Sequence, residues 1–134
     1  MTRILTAILF ALGLMYLFIG AGFLVNPVAA GSDFGMAADG NQGLAAMRAD
    51  MTAFFYVGGG AMIWGAWKRR GDPLLISAAL FGIAFIGRLV SVIADGTYAN
   101  WAIPMAVEAA TVLLCLVAWW ILPRVGKRST GIIS

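Results

Sequence analysis

Arg88 and Glu108 are the residues of this sequence best placed to do chemistry, because each interrupts a run that is otherwise oily. Arg88 lies within FGIAFIGRLVSVIADG (81–96) and Glu108 within WAIPMAVEAATVLLCLVAWWIL (101–122). A charge near the centre of a bilayer costs more than roughly 2.5 kcal/mol on insertion scales, so such a residue needs a partner or a purpose. Helical spacing widens the set. Ala84, Arg88, Ser91 and Asp95 recur at intervals of four, three and four, which puts them on one helix face. Glu108, Thr111 and Cys115 share a face in the same way. Arg48 opens another apolar run, with Asp50, Thr52 and Tyr56 nearby, and Tyr16 lies within the first run. The candidate polar cluster is therefore Arg48, Arg88, Ser91, Asp95 and Glu108. The chemistry open to it is an ion pair, capture of an anion by the arginines with Glu108 as a proton-linked partner, or acid–base work by Glu108, Asp95 and Tyr16.

The composition excludes more than the motifs support. There is no histidine, which removes the commonest general base and metal ligand. A single cysteine, Cys115, rules out an intramolecular disulfide and leaves zinc and iron–sulfur sites without ligands. It reads as an inert, buried thiol. The Gly58-Gly59-Gly60 run lacks the Lys-Ser/Thr ending of a phosphate loop. No metal or cofactor is expected.

The elements that hold these residues follow from hydrophobicity. Of 134 residues, 62% are hydrophobic and 11% charged, against roughly 45–50% and about 25% in soluble domains. A chain this short cannot hide so much apolar side chain from water, so lipid is the expected solvent. Four apolar runs, about 4–25, 44–67, 74–94 and 101–122, each have the roughly 20 residues that cross a hydrocarbon core. Backbone groups in lipid must bond within their own segment, so the runs are predicted as helices. The first is expected to be an anchor, being long for the apolar part of a cleaved signal peptide. Residues 26–43, rich in Gly and Ala, read as a long loop, with tight turns at 68–72 and 95–100. Pro73 suits a first helical turn and Asn100 an N-cap.

Charge sets the expected orientation. Arg3, Lys68, Arg69, Arg70, Arg124, Lys127 and Arg128 fall on one side of a four-span arrangement, whereas Asp33, Asp39, Asp50 and Asp95 fall on the other with Arg48 near the boundary. Basic residues mark the cytoplasmic side, so both termini are expected inside. Trp64, Trp67, Trp119 and Trp120 then lie at the inner interface and Trp101 at the outer one. The positive charge is explained by topology, so no nucleic-acid partner is expected. Short turns make antiparallel neighbours, and the predicted fold is all-α: one transmembrane domain over residues 1–134, an up-down four-helix bundle. Gly13, Gly20, Gly22, Gly58, Gly59, Gly60 and Gly65 permit close helix contact, for which plain packing is sufficient reason.

In that bundle Arg88 and Glu108 reach the same depth, about 9–11 Å below the outer surface, from opposite directions along one hairpin. Glu108 is thus the predicted partner of Arg88. Alternatives stay open at this level: Arg88 can snorkel with its stem along lipid, and Glu108 could instead carry a proton.

Four pieces in combination carry a resemblance: GLMYLFIGAGFLVNP (13–27), MRADMTAFFYVGGG (47–60), GRLVSVIADG (87–96) and the lone Glu108. Over about residues 4–122 the chain resembles a bacterial family of small four-span membrane proteins of unknown function, distantly similar in layout to the DoxX-like group. The resemblance implies that Arg48, Arg88, Asp95 and Glu108 are characteristic polar positions. It implies no reaction.

The leading expectation is a non-catalytic protein of a bacterial inner membrane, an accessory or assembly subunit or a homo-oligomer, with the lipid bilayer as its surroundings. The alternative is a binder or transporter of a small molecule, anion or lipid at an outward-facing site on Arg48, Arg88 and Glu108. A lipid- or quinone-modifying enzyme is the third reading, weakened by the missing histidine and metal ligands.

Overall fold

The computed structural model describes the backbone of residues 2–130 and the side chains of residues 2–124, so Lys127 and Arg128 lie outside the described side chains. Every regular element among the described residues is helical: α1 (Thr2–Val25), α2 (Pro27–Asp33), α3 (Gly40–Ala46), a π-helical turn (Met47–Met51), α4 (Thr52–Lys68), α5 (Asp72–Asp95) and α6 (Ala102–Thr130). Three of these are long and apolar enough to cross a membrane by length and composition: Thr2–Val25, Asp72–Asp95 and Ala102–Arg124. Their outward faces stay oily, with Phe18 80% and Ile93 78% exposed. The chain is built as a membrane protein.

The fourth predicted span, 44–67, differs in form. It is helical, but the π turn divides it and leaves α4 with 17 residues. The stretch 26–43 differs in part: Pro27–Asp33 and the start of Gly40–Ala46 are helical where a loop was expected, while 34–39 between them is irregular. Asn26 caps α2, its side chain accepting from the Ala29 N–H at 3.2 Å, and Pro27 supplies the fixed φ of a first helical position. A cap and a proline thus suffice to start a helix in a Gly/Ala-rich segment. Pro73 does sit in the first turn of α5. Asn100 is not the N-cap of α6. It lies one residue too early and adopts φ 61°, a left-handed turn conformation that asparagine tolerates better than most residues.

Packing follows small residues and short turns. α1 lies chiefly on α4, α4 on α5 and α5 on α6, with lighter contact between α6 and α1. Gly13 and Gly59 meet where α1 crosses α4: a Cβ on Gly59 would stand 2.7 Å from the Gly13 carbonyl oxygen, and one on Gly13 would stand 2.8 Å from that of Gly59. Gly58 receives the ring of Phe81, and its carbonyl accepts from Ser77 Oγ at 2.7 Å, which ties α5 to α4. The shared core holds Leu9, Tyr16, Phe23, Phe55, Met62, Leu74, Phe81, Cys115 and Leu122.

Candidate functional site

Arg88 and Glu108 meet. Arg88 Nε donates to Glu108 Oε1 at 2.7 Å, joining α5 to α6. The two side chains differ in setting: Arg88 keeps 30% of its surface and Glu108 only 10%. A long arginine can reach outward while a glutamate on the same hairpin cannot. The second carboxylate oxygen, Oε2, is buried and has no hydrogen-bond partner. In a structure where buried polar atoms are nearly always paired, such an atom calls for an explanation.

The rest of the Glu108 face packs inward as its spacing predicts, with Thr111 and Cys115 fully buried. Thr111 Oγ1 donates to the Val107 carbonyl at 2.8 Å, which commits its one proton. The Tyr16 hydroxyl, 2.7 Å from Thr111 Oγ1, must therefore be the donor of that bond. Tyr16 is thus held by α6, and neither hydroxyl hydrogen is left for Glu108. Tyr16→Phe is expected to cost about 1 kcal/mol of unfolding free energy, the net worth of one neutral hydrogen bond, without loss of the fold. Chemical unfolding in detergent would measure it.

Beside the ion pair lies a cavity of about 540 Å³ whose wall comes from four helices, the π turn and the loop after α2. Its lining is mostly aromatic and apolar: Tyr16 and Ile19 from α1, Phe34 from the loop, Met51, Phe54 and Phe55, and Phe81 and Ala84 from α5. Tyr16 stacks on Phe81 with ring centroids 4.3 Å apart, and Phe54 meets Phe81 edge-on at 5.2 Å. These rings brace one another, so the wall is preformed. The polar residues among those lining it are Arg88, Glu108, Asp50 and Tyr16, whose hydroxyl is tied to Thr111. A second, more polar cavity of about 710 Å³ sits under the α5–α6 turn, lined by Asp33, Tyr98 and Asn100 among others. Phe34, Arg88 and Pro104 line both, so the arginine borders the two cavities.

The remaining predicted residues do not join this group. Arg48 lies in the π turn, exposed, and its Nε donates to the Leu24 carbonyl at 2.9 Å. It covers one of the carbonyls left open at the end of α1. Asp50 reaches the apolar chamber instead. Two residues apart on a helix are roughly 200° apart around its axis, so both cannot face one chamber. Arg48→Ala should cost about 1–2 kcal/mol through that lost charged hydrogen bond. Melting temperatures of Arg48→Ala and Arg48→Lys would check it. Ser91 and Asp95 are exposed and line neither cavity, although they share the Arg88 face. The last two turns of α5 extend past the packed region, and Val92 alone among residues 89–95 is even half-buried.

Phe34, Phe54, Phe55 and Phe81 were not legible as a group. Their common wall depends on contacts between segments far apart in the chain, and nothing local separates a lining ring from a packing one. The π turn was equally hidden, though such turns frequently occur at functional sites.

A family model described as a domain of unknown function (DUF4345) matches residues 4–122. The chain belongs to the DUF4345 family. No curated protein and no solved structure matches it. The DUF4345 match spans both halves of the site, from Tyr16 on α1 to Glu108 on α6.

Proposed function

We propose that this DUF4345 chain is a non-catalytic integral membrane protein that binds a small apolar molecule in the chamber beside Arg88 and Glu108. Of the two leading roles open to the sequence, accessory subunit or small-molecule binder, the chamber favours the second. The observation that carries the reading is a preformed cavity of about 540 Å³, walled by aromatic rings and ending on a buried, half-satisfied carboxylate. Ligand sites commonly have about 300–1,000 Å³, apolar walls and a few converging polar groups.

The membrane arrangement belongs to the same proposal. The π turn and α4 run on without a break, which gives the fourth rod the length that its 17-residue part lacks. Four spans with short turns make an up-down bundle, similar in layout to the DoxX-like group. Basic residues at the α4–α5 turn, with exposed Trp64, Trp67, Trp119 and Trp120 toward the same end, favour a cytoplasmic location for that end in a bacterial inner membrane. The chamber then opens toward the other side.

Titration with butylbenzene tests the binding role. The purified protein in mild detergent is expected to gain melting temperature in a saturable way, because a ligand of the folded state alone stabilises it. Ala84→Phe, which places a ring in the chamber, should abolish the gain. An equal, unsaturable response in both proteins would be a detergent effect and would end the proposal.

A further inference from the structure

We infer that the groove between α1 and α4 at their basic end holds an anionic membrane lipid, its phosphate between Arg3 and Arg69 and one acyl chain along α1. The site lies apart from the chamber and does not depend on the binding role proposed above. Three observations carry it.

First, the charges at the groove are of one sign. It has a volume of about 520 Å³, and Arg3 on α1 and Arg69 just after α4 both line it, with no acidic residue in its wall. Both arginines are exposed, and the one ion pair among the described residues is Arg88–Glu108. Arg124, by contrast, lies over the Trp120 ring at 3.8 Å. An arginine offers a planar fork of N–H donors that fits a phosphate, and two of them on one groove suit a single anionic head.

Second, the backbone does not ask for an arginine at 69. The residue ends α4 in the left-handed conformation, φ 51° and ψ 42°. Glycine is the usual residue at such a helix end, because it carries no Cβ penalty there. Glycine at 69 would therefore remove the charge and keep the turn.

Third, beyond the charges the groove is made for a chain. Arg3, Ala7, Ala11 and Leu14 recur at intervals of four, four and three, so they form one stripe down α1, and all four line the groove. From Arg3 to Leu14 the helix rises roughly 16 Å, about the depth of one leaflet of a hydrocarbon core. Phe10 and Trp67, with ring centroids 6.1 Å apart, bring a ring from each helix to the same wall. Trp67 is 70% exposed, and a tryptophan beside arginines marks the level of the lipid headgroups. A soluble phosphate would leave the apolar stripe uncovered, whereas a lipid covers both parts.

The test compares phosphatidylglycerol with phosphatidylcholine of the same chains, added to the purified protein in a neutral detergent at low salt. Dissociation constants would be read from saturable shifts in melting temperature. Phosphatidylglycerol is expected to bind at least about tenfold more tightly, as two basic side chains at one anionic head imply. Glycerophosphate, a head without chains, should give no saturable shift over the same range. Arg69→Gly and Arg3→Gln should each cut the ratio between the lipids about fivefold. Arg69→Gly should fold as well as the unaltered protein, because glycine suits the left-handed position. Arg124→Gln makes the same change in net charge away from the groove and should leave the ratio within about twofold of its starting value.

Equal binding of the two lipids by the unaltered protein would overturn the inference. An equal loss in Arg124→Gln would also overturn it, since the attraction would then belong to the whole basic end. Glycerophosphate binding as tightly as the lipid would replace the lipid by a soluble phosphate. A ratio that survives Arg69→Gly would remove the groove as the site. The lipid comparison and Arg69→Gly decide the matter even if Arg3→Gln does not fold.

Discussion

Replacing Arg88 by methionine is expected to destabilise the fold by about 3–5 kcal/mol, and replacing Glu108 by leucine by about 3 kcal/mol. The physical reason is the charge left behind. Without Arg88, the carboxylate of a residue only 8% exposed loses the donor at 2.7 Å and keeps an Oε2 that already has no partner. Without Glu108, Arg88 is the orphan, but it retains 30% of its side-chain surface and can lean toward the more polar cavity under the α5–α6 turn. Hence the smaller cost on that side. The double replacement, Arg88→Met with Glu108→Leu, should recover most of the loss and end within about 1 kcal/mol of the starting protein, because exchanging a buried ion pair for apolar side chains of similar size is often neutral. A double-mutant cycle by equilibrium unfolding in mixed detergent reads the coupling directly. Single losses that simply add would mean that the pair contributes nothing as a pair, and that Arg88 snorkels independently.

Neighbouring glycines of the Gly58-Gly59-Gly60 run are expected to respond to alanine with opposite signs. Gly59→Ala places a Cβ 2.7 Å from the Gly13 carbonyl oxygen and 3.0 Å from Tyr16 Cβ. The nearer atom is backbone, so no rotamer change relieves the clash. α1 and α4 must move apart, at about 1–3 kcal/mol for overpacking of this kind. The displacement falls on Tyr16, so the Thr111 hydrogen bond and one wall of the chamber should be disturbed too. Gly60→Ala meets nothing within 4 Å. There the substitution only restricts the unfolded chain and improves helix propensity, so a gain of about 0.5–1 kcal/mol is expected. Gly58→Ala falls between, since its Cβ would meet the edge of the Phe81 ring at 2.9 Å. Melting temperatures of the three variants would check the order. A uniform response across the run would show that α1 and α4 do not cross at Gly13 and Gly59.

The helical class was legible because lipid-compatible backbone must satisfy its hydrogen bonds locally, and long apolar runs leave only helices. Partnership of Arg88 with Glu108 was also legible. It needs only a hairpin, a short turn and a rise per residue, all local quantities. The glycines showed that some helices approach closely, but not that Gly59 is the crossing point and Gly60 idle, because which side of α4 meets α1 depends on the rotation of both helices.

Arg48 illustrates the limit most clearly. Its type and position grouped it with Arg88, yet it covers the end of α1 while Asp50 reaches the chamber. A π turn alters the angular register by one extra residue, and single-sequence periodicity assumes that this register is constant. Ser91 and Asp95 had the right face but the wrong height, since periodicity gives direction around a helix and says nothing of where its neighbours end. What the sequence determined by itself was the apolar helices and a matched pair of charges at one depth, because both follow from distances along the chain. What only the tertiary structure decided was the chamber: its rings come from segments brought together by packing, and the same packing ties Tyr16 on α1 to Thr111 on α6.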